Sequence, residues 1–279
     1  MRMKRLKRYL PSVAFFLAFE ALAIGLWLGK GNRFYLWNFT YIGGCLAAGT
    51  ALFTAGKRFA RRFVQLAVGG YMLVYLGLIC RENMQIEGFW YYLFQGVFEA
   101  ATIHYAAAKL FGPLLFGRGW CGYACWTAMV LDLLPYERPA APRRRRLGAL
   151  RYVHFALSLL LVIGLFLARP AHMEQIMFGL FVAGNALYYA AGIALALGMK
   201  DNRAFCKYLC PVTVFLKPAS YFSLLRVHCD EAKCVHCGKC LKACPMDVQV
   251  NCDRRSRENG TECILCYDCV KACPTRALH

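Results

Sequence analysis

The sequence predicts an α-helical integral membrane domain of about six transmembrane helices, followed by a small cysteine-rich α+β domain. Hydrophobic residues make up 59% of the 279 residues, and the mean hydropathy is +0.40. They gather in long runs that soluble helical proteins rarely contain. From Ser220 onwards these runs stop, and ten of the sixteen cysteines follow in short polar segments. We therefore expect a polytopic membrane domain over 1–219 and a second domain over 220–279.

The predicted spans follow from length and composition. A helix needs about 20 mostly apolar residues to cross the hydrocarbon core of a bilayer. The stretches that we predict as spans are Leu10–Gly29, Tyr35–Ala55, Phe63–Cys80, Phe89–Ala108, Tyr152–Ala168 and Ile176–Met199.

The net charge of +19 favours a membrane over nucleic acid because of where the charges lie. Residues 226–279 hold 9 basic and 7 acidic residues, so most of the excess belongs to the membrane domain. With six spans, 21 of the remaining 25 basic residues fall on one side of the bilayer, as the positive-inside rule requires of the cytoplasmic side. We expect a multi-pass inner-membrane protein whose N-terminus and second domain are cytoplasmic. No aromatic-interleaved basic surface accompanies the charge, so nucleic acid is not an expected partner.

The first residues permit a second interpretation. The basic segment MRMKRLKR, the apolar stretch after it and Ala21-Leu22-Ala23 have the order of a cleaved signal peptide. The apolar stretch continues past that site to Gly29, which favours a retained helix.

The second domain contains one cysteine run twice. Cys234, Cys237, Cys240 and Cys244 precede Pro245, and Cys263, Cys266, Cys269 and Cys273 precede Pro274. Both runs read C-x2-C-x2-C-x3-C-P, the spacing by which bacterial two-cluster ferredoxins hold 4Fe–4S clusters.

The ferredoxin spacing predicts crossed ligand sets. The fourth cysteine of each run ligates the other cluster. One cluster would use Cys234, Cys237, Cys240 and Cys273, and the other Cys263, Cys266, Cys269 and Cys244. Zinc and disulfides are the alternatives, but zinc needs only four ligands and leaves the third cysteine and the proline unexplained. Cys229 and Cys252 lie outside both runs and are expected to be free thiols, because eight cysteines already supply two clusters.

A second repeat lies in the membrane domain. Arg118-Gly-Trp-Cys121-Gly-Tyr-Ala-Cys125 aligns with Arg203-Ala-Phe-Cys206-Lys-Tyr-Leu-Cys210. Cysteines four apart share one face of a helix, so two such pairs at one membrane face could form a four-thiolate site for a third iron–sulfur centre. Reduced structural thiols and a redox-active dithiol stay open as alternatives. Arg118 and Arg203 either hydrogen-bond these thiolates or anchor the chain at the cytoplasmic side.

These motifs resemble the membrane polyferredoxin family that includes the NapH-type and NosR-type proteins of nitrate and nitrous-oxide respiration. Cys206-Lys-Tyr-Leu-Cys210-Pro211 matches the family's C-x3-C-P motif, whereas Cys121-Gly-Tyr-Ala-Cys125 is followed by Trp126 in place of proline. The resemblance covers roughly residues 90–279. It implies electron transfer between the quinone pool or cytoplasmic donors and a partner redox complex. Other members of the family are linked to maturation or regulation.

Some ionisable residues lie inside predicted spans. Such groups are costly in a membrane and usually face a cavity or a partner. Glu99 and His104, together with His154, are candidates for relaying the proton that a quinol releases. A packed hydrogen-bonded pair is the structural alternative. Ligation of haem b by His104 and His154 is not favoured, and no C-x-x-C-H motif for covalent haem occurs.

The sequence therefore predicts a membrane-bound iron–sulfur electron-transfer protein. It would carry two 4Fe–4S clusters and a third centre if the membrane-domain cysteines bind one. Expected partners are the lipid bilayer, partner redox subunits or soluble ferredoxin-type carriers, and a quinone. The alternatives are a redox-sensing or metalloenzyme-maturation factor that reduces a metal ion, and a scaffold without redox turnover. No nucleotide, flavin or hydrolytic motif indicates a self-contained enzyme.

Overall fold

The computed structural model describes residues 8–98 and 100–279. These residues form two compact units, which divide between Tyr71 and Met72. The described part contains α-helices, π-helical and 3-10 segments, and no β-strand. In chain order the α-helices, numbered α1 to α14, are Leu10–Lys30, Arg33–Thr54, Ala60–Gly70, Ile86–Phe94, Ala100–Tyr105, Gly112–Phe116, Gly119–Tyr123, Trp126–Leu131, Leu150–Ala168, Met173–Met199, Ala204–Tyr208, Thr213–Tyr221, Lys239–Ala243 and Asp268–Ala272.

The first unit is built on a hairpin of two long helices. Helix α1 ends at Gly31, which adopts a φ of 68° that a residue with a Cβ rarely adopts. The Asn32 side chain then accepts a hydrogen bond of 2.9 Å from the amide of Phe34 and caps α2. Gly43 lets α2 pack directly against Phe19 of α1, because a Cβ at this position would overlap the Phe19 side chain.

In the part of the chain that the structure describes, four helical segments are long and apolar enough to cross a membrane: Leu10–Lys30, Ala60–Ile79, Arg145–Ala168 and Met173–Met199. They are consistent with a membrane protein. Ala60–Ile79 combines α3 with a π-helical continuation, Tyr71–Ile79, and Arg145–Ala168 combines a 3-10 turn with α9. The predicted count of six spans is not confirmed.

Two of the predicted spans differ from the expectation. Helix α2 has 22 residues, but it is not among the four apolar segments. Its asparagine, threonine, tyrosine and glycine residues reduce its hydropathy. The predicted span Phe89–Ala108 is not one helix, because α4 ends at Phe94 and Gly96 adopts a φ of 69°, which does not continue a right-handed helix. The length and composition of an apolar stretch do not reveal this break between two helices.

The interior of the second unit next to these segments is aromatic. The rings of Phe89 and Tyr105 stack with centroids 4.8 Å apart, and Trp90 contacts Phe155 and Phe215 at 5.4 and 5.5 Å. Aromatic pairs at these separations contribute about 0.5–1.5 kcal/mol beyond area burial. These contacts hold α4 against α9 and α12.

The C-terminal region belongs to the same compact unit as residues 72–219. In place of the expected sheet, the described residues contain one antiparallel bridge, between Cys229 and Leu278. Next to this bridge the His228 amide donates a hydrogen bond of 2.8 Å to the His279 carbonyl. The α+β character of this region is thus not confirmed. The short helices α13 and α14 pack against each other, so the two cysteine runs lie side by side. The boundary at 219/220 remains a prediction.

Candidate functional site

The two ferredoxin-type runs have the same local geometry. Helices α13 and α14 both begin after a residue with positive φ, Gly238 at 71° and Tyr267 at 60°. In both runs the third cysteine lies within the short helix and the fourth follows its end. In each run a backbone amide lies close to the sulfur of the fourth cysteine. Val248 N lies 3.4 Å from Cys244 Sγ, and Ala277 N lies 3.3 Å from Cys273 Sγ.

One of the crossed sets lines a single cavity. The four cysteines predicted for one cluster, which we call the outer site, surround this cavity together with Cys229: Cys234, Cys237, Cys240 and Cys273. Cys237 is exposed, and the cavity opens to solvent beside it. Cys229 is buried; burial, and after it the neighbouring Cys234, raises the pKa of its thiol to about 11.

The other crossed set, which we call the inner site, consists of Cys263, Cys266, Cys269 and Cys244 and belongs to a buried core. Burial raises the pKa of the Cys269 thiol to about 12, and the nearby Cys244 and Cys263 add to this increase. Thiols of raised pKa become thiolates only when a cation compensates their charge. A donor set of buried thiols therefore fits an iron–sulfur cluster chemically.

The described residues offer no site for a lone ion. In 8–98 and 100–279, no three cysteine, histidine or acidic side chains gather closely enough to bind a single metal ion. Zinc requires its sulfur ligands at about 2.3 Å from one centre. The cavity-lining arrangement of the outer site instead fits ligands distributed around a larger group.

The membrane-domain repeat folds differently from the expectation. Cys121 lies in α7 and Cys206 in α11, but each helix ends before the second cysteine of the pair. Cys125 is extended, with φ −78° and ψ 119°, and begins α8. The prediction that each pair shares one helix face is therefore wrong. Proline favours an extended conformation in the residue before it. Cys125 has this conformation although Trp126 follows it, so the backbone here is the one that a proline at position 126 would favour.

The four thiols of this repeat are nevertheless within electrostatic range of one another. Burial raises the pKa of Cys206 to about 12; Arg203 opposes this rise, and the other three cysteines add to it. Burial also raises the pKa of Cys125, and the neighbouring Cys121 raises it further. For Cys121, Arg118 and Lys109 outweigh burial and lower the pKa. We call Cys121, Cys125, Cys206 and Cys210 the four-cysteine site.

The two repeat arginines are wholly buried and do not anchor the chain at a surface. Arg203 donates to Cys121 O at 3.0 Å and to Asp132 Oδ2 at 2.5 Å, and its Nη1 lies 4.0 Å from Cys206 Sγ. Arg118 pairs with Glu262 and also contacts Cys206 O at 3.5 Å. Charges that were assigned to the positive-inside pattern are thus part of the protein interior.

Glu262 is the centre of a buried ion cluster. Its side chain, 2% exposed, accepts hydrogen bonds from Arg118, Arg143 at 3.0 Å and Arg151 at 2.9 Å. Because it directly precedes Cys263, this carboxylate links the inner site to arginines that lie more than 100 residues earlier in the chain. Lys207 forms a second buried cluster with Asp201 and Asp247, at 2.7 and 2.6 Å.

The inner site touches the four-cysteine site directly. The Tyr123 hydroxyl donates to Leu265 O at 2.8 Å. A Cβ at Gly122 would overlap Ile264 O, so the two loops meet backbone to backbone. Cys121 and Cys206 share one core with Cys266 and Cys269.

The proposed proton and haem residues have mixed outcomes. Glu99 lies outside the described residues. His104 is half-buried and packs against Trp120, with ring centroids 4.9 Å apart; its buried Nε2 has no hydrogen-bond partner among the described residues. His154 uses both ring nitrogens, Nδ1 with Leu209 O at 2.9 Å and Nε2 with the Tyr188 hydroxyl at 3.3 Å. Neither nitrogen of His154 is left for haem iron.

Sequence reasoning missed Glu262, Asp132 and Glu87. The pairs of the first two are 144 and 71 residues apart in sequence, so no local pattern could identify them. Glu87 was overlooked because it lies just before a predicted span, and only the fold reveals that it is buried.

Two domain families match the chain at these sites. A family described as a 4Fe-4S dicluster domain matches residues 226–275, which contain both the outer and inner sites. A family described as a 4Fe-4S binding domain matches 105–148 and 186–227, which contain the two halves of the four-cysteine site. These matches support iron–sulfur clusters, consistent with two, and fit a membrane polyferredoxin-like family of iron–sulfur electron-transfer proteins.

Some of the relatives carry ferredoxin-type or electron transport names, which agree with this class. The chain is 28% identical over 152 residues to an uncharacterized protein of Methanocaldococcus jannaschii, covering 54% of this chain and 60% of that protein. It is 28% identical over 210 residues to the methylamine utilization ferredoxin-type protein MauN of Paracoccus denitrificans, covering 66% of this chain and 70% of MauN. A segment of 68 residues, 24% of this chain, is 31% identical to the putative electron transport protein YccM of Escherichia coli and covers 19% of it. No solved structure matches the chain.

Proposed function

We propose that this protein passes single electrons through three iron–sulfur centres, between a soluble cytoplasmic carrier and an acceptor or donor in the inner membrane. The outer and inner sites would each hold a 4Fe–4S cluster, and the four-cysteine site would hold a third. The relatives named as ferredoxin-type and electron transport proteins support this class of function.

The observation that carries the proposal is the contact between the inner site and the four-cysteine site. The Tyr123–Leu265 hydrogen bond and the Gly122–Ile264 backbone contact join the two loops. The outer site lies at the other end, beside the exposed Cys237. This arrangement favours an order in which the soluble carrier exchanges electrons with the outer cluster, the inner cluster is intermediate, and the four-cysteine site exchanges them with the membrane.

Charge balance supports a metal centre at the four-cysteine site. Six buried cations lie around the four-cysteine site and around the place where this site contacts the inner site. They are Lys109, Arg118, Arg143, Arg151, Arg203 and Lys207. Four carboxylates pair with cations of this group: Asp132, Asp201, Asp247 and Glu262. Among the described residues no carboxylate pairs with Lys109, whose ammonium group lies 4.9 Å from the centroid of the Trp120 ring, and an uncompensated buried charge is costly. Thiolates of an iron–sulfur centre would supply negative charge beside Lys109 that neutral thiols or disulfides lack.

Electron transfer across these sites can be tested in lipid vesicles. The anaerobically purified full chain is reduced with a soluble low-potential carrier, and a quinone analogue is then added to the bilayer. We expect reoxidation of the clusters in the wild type and in the control Cys45→Ser. In Cys206→Ser we expect the ferredoxin clusters to be reduced but not reoxidised by the quinone.

Two results would contradict the proposal. Equal reoxidation in Cys206→Ser would exclude the four-cysteine site from the path. No reoxidation in the wild type by any membrane acceptor would favour the maturation or sensing alternative.

A further inference from the structure

The two ferredoxin-type runs contain equivalent short loops in different surroundings. Two residues separate the first and second cysteine of each run, Ile264-Leu265 at the inner site and Val235-His236 at the outer site. The second residue of each pair has the same left-handed backbone conformation, with a φ of 52° at Leu265 and 50° at His236. Ile264 is 2% exposed, whereas Val235 is 63% exposed. The outer loop thus repeats the conformation of a loop that is packed at the inner site, but its apolar side chain is open to solvent.

The inner loop shows what a loop of this conformation can bind. The carbonyl oxygen of Ile264 lies so close to Gly122 that a Cβ there would overlap it. The carbonyl oxygen of Leu265 accepts a hydrogen bond of 2.8 Å from the Tyr123 hydroxyl. This loop therefore docks onto the segment that carries the first pair of the four-cysteine site, through its backbone and its buried apolar side chain.

The charges beside the two loops have opposite signs. Asp247, three residues after the fourth cysteine of the first run, flanks the inner site and pairs with Lys207 at 2.6 Å. The equivalent position of the second run flanks the outer site and holds Arg276, which has the same φ of 54° as Asp247. Asp268 at the start of α14 likewise corresponds to Lys239 at the start of α13. The outer site is therefore cationic at two positions where the inner site is anionic.

The cations around the outer site are exposed. Lys239 and Lys242 are three residues apart on α13 and share one side of the helix. Arg276 follows Thr275, which lines the cavity of the outer site. No carboxylate of the described residues forms an ion pair with these three side chains, whereas Lys233 pairs with Asp230 at 2.6 Å. Exposed cations of one sign attract a partner surface of the opposite sign.

We propose that the exposed surface around Cys237 docks a soluble protein carrier of single electrons through an acidic face of that carrier. We call it the docking surface, and it consists of Val235, His236, Lys239, Lys242 and Arg276. The inference rests on the proposed function, because it requires a cluster at the outer site. One electron leaves the reduced carrier and enters the outer cluster, so the carrier is oxidised, the cluster is reduced and no bond breaks.

The docking surface repeats at the outer site the contacts that the inner loop makes within the chain. Val235 supplies the apolar contact that Ile264 supplies at the inner loop. The inner loop brings an acidic residue, Asp247, to a basic partner, Lys207. At the docking surface the basic residue belongs to the loop, so the acidic one has to come from the partner.

The test is reduction of the anaerobically purified full chain in nonionic detergent by a reduced plant-type 2Fe–2S ferredoxin of negative net charge, followed by rapid mixing and EPR. In Lys239→Glu/Lys242→Glu we expect the second-order rate constant at low salt to fall about tenfold or more, because electrostatic steering raises association rates by about 10–10³. The difference should disappear near 1 M salt, where the Debye length is about 3 Å. The matched control Arg138→Glu/Lys200→Glu reverses two exposed cations outside the docking surface and should keep the wild-type rate.

A small dye separates docking from loss of the cluster. Reduced methyl viologen needs no docking surface, so it should reduce the outer cluster of Lys239→Glu/Lys242→Glu at least as fast as that of the wild type. The EPR spectrum of the cluster should be the same in both proteins.

The apolar contact has its own measurement. Val235→Ala should weaken binding of the oxidised ferredoxin, measured by calorimetry, by roughly threefold to tenfold at low and at high salt. Leu133→Ala is the control, because Leu133 is 65% exposed and does not line the cavity; it should bind as the wild type does.

Equal rates with ferredoxin in the two double variants would overturn the docking surface and leave the electron path intact. A difference that arises only in vesicles of anionic lipid would make lipid the occupant and would also overturn it. So would a change of oligomeric state in Val235→Ala without a change in ferredoxin binding, because the occupant would then be a second copy of the chain. If neither ferredoxin nor viologen reduced the wild-type clusters, the proposed function itself would fail.

Discussion

The outer and inner sites have the same cysteine spacing but different surroundings. At the outer site Cys237 is exposed and a fifth cysteine, Cys229, lines the cavity. At the inner site Cys244, Cys266 and Cys269 are buried, and the loop meets the four-cysteine site. The repeated motif therefore determines which cysteines form a set. The segments around each set determine how exposed its cysteines are and what they contact. One set includes an exposed cysteine, and the other is in contact with the four-cysteine site.

The largest expected effect concerns the ion cluster that holds the inner site. Glu262→Gln removes the charge that three buried arginines share. Loss of one partner of a buried ion pair costs about 3–5 kcal/mol. We expect a decrease of this size in the free energy of unfolding, measured in detergent by loss of cluster absorption in urea.

The matched control is Glu258→Gln. Glu258 is 50% exposed and pairs with Arg145 at 2.7 Å, and exposed pairs contribute about 0–1 kcal/mol. Similar unfolding midpoints for the two variants would show that the buried cluster does not fix the inner site.

An intermediate effect is expected where the inner loop meets the four-cysteine loop. Gly122→Ala places a Cβ against Ile264 O, and overpacking of this kind costs about 1–3 kcal/mol. The loops must separate, so electron transfer from the inner cluster to the four-cysteine centre should slow, as measured by flash reduction. Reduction of the outer cluster should keep its rate.

Gly179→Ala is the control for this change, because nothing lies within 4 Å of a Cβ at that position. If Gly122→Ala and Gly179→Ala transferred electrons at the same rate as the wild type, the loop contact would not be part of the path.

The smallest expected effect separates the two ferredoxin-type clusters. Cys229 lines the cavity of the outer site, where its thiol can donate to a cluster sulfur. The corresponding position before the second run holds the exposed Glu258. Hydrogen bonds to cluster sulfurs raise the potential. One bond of about 0.5–1.5 kcal/mol corresponds to roughly 20–60 mV for one electron.

Cys229→Ala should therefore lower the potential of the outer cluster and leave that of the inner cluster unchanged in an EPR redox titration. Cys252→Ala provides the control, since Cys252 does not line the cavity. An equal shift of both clusters would show that Cys229 does not act on the outer site alone.

The comparison also shows what the sequence could predict. The cysteine spacing predicts the crossed sets because ligand separation along the chain is a local property, and the cavity contains one complete set. Hydropathy predicted apolar helices, but it could not detect the break at Gly96 that divides Phe89–Ala108. The positive-inside pattern treated Arg118 and Arg203 as surface charges, although both are buried with acidic partners far away in sequence. Long-range ion pairs depend on the tertiary fold and leave no local pattern.

The most direct test of the account is the content of iron and acid-labile sulfide per chain, measured with EPR on anaerobically purified protein. Three 4Fe–4S centres predict about twelve irons in the wild type and about eight in Cys121→Ser and Cys206→Ser. A wild-type value of about eight, or a value that these substitutions leave unchanged, would contradict a centre at the four-cysteine site.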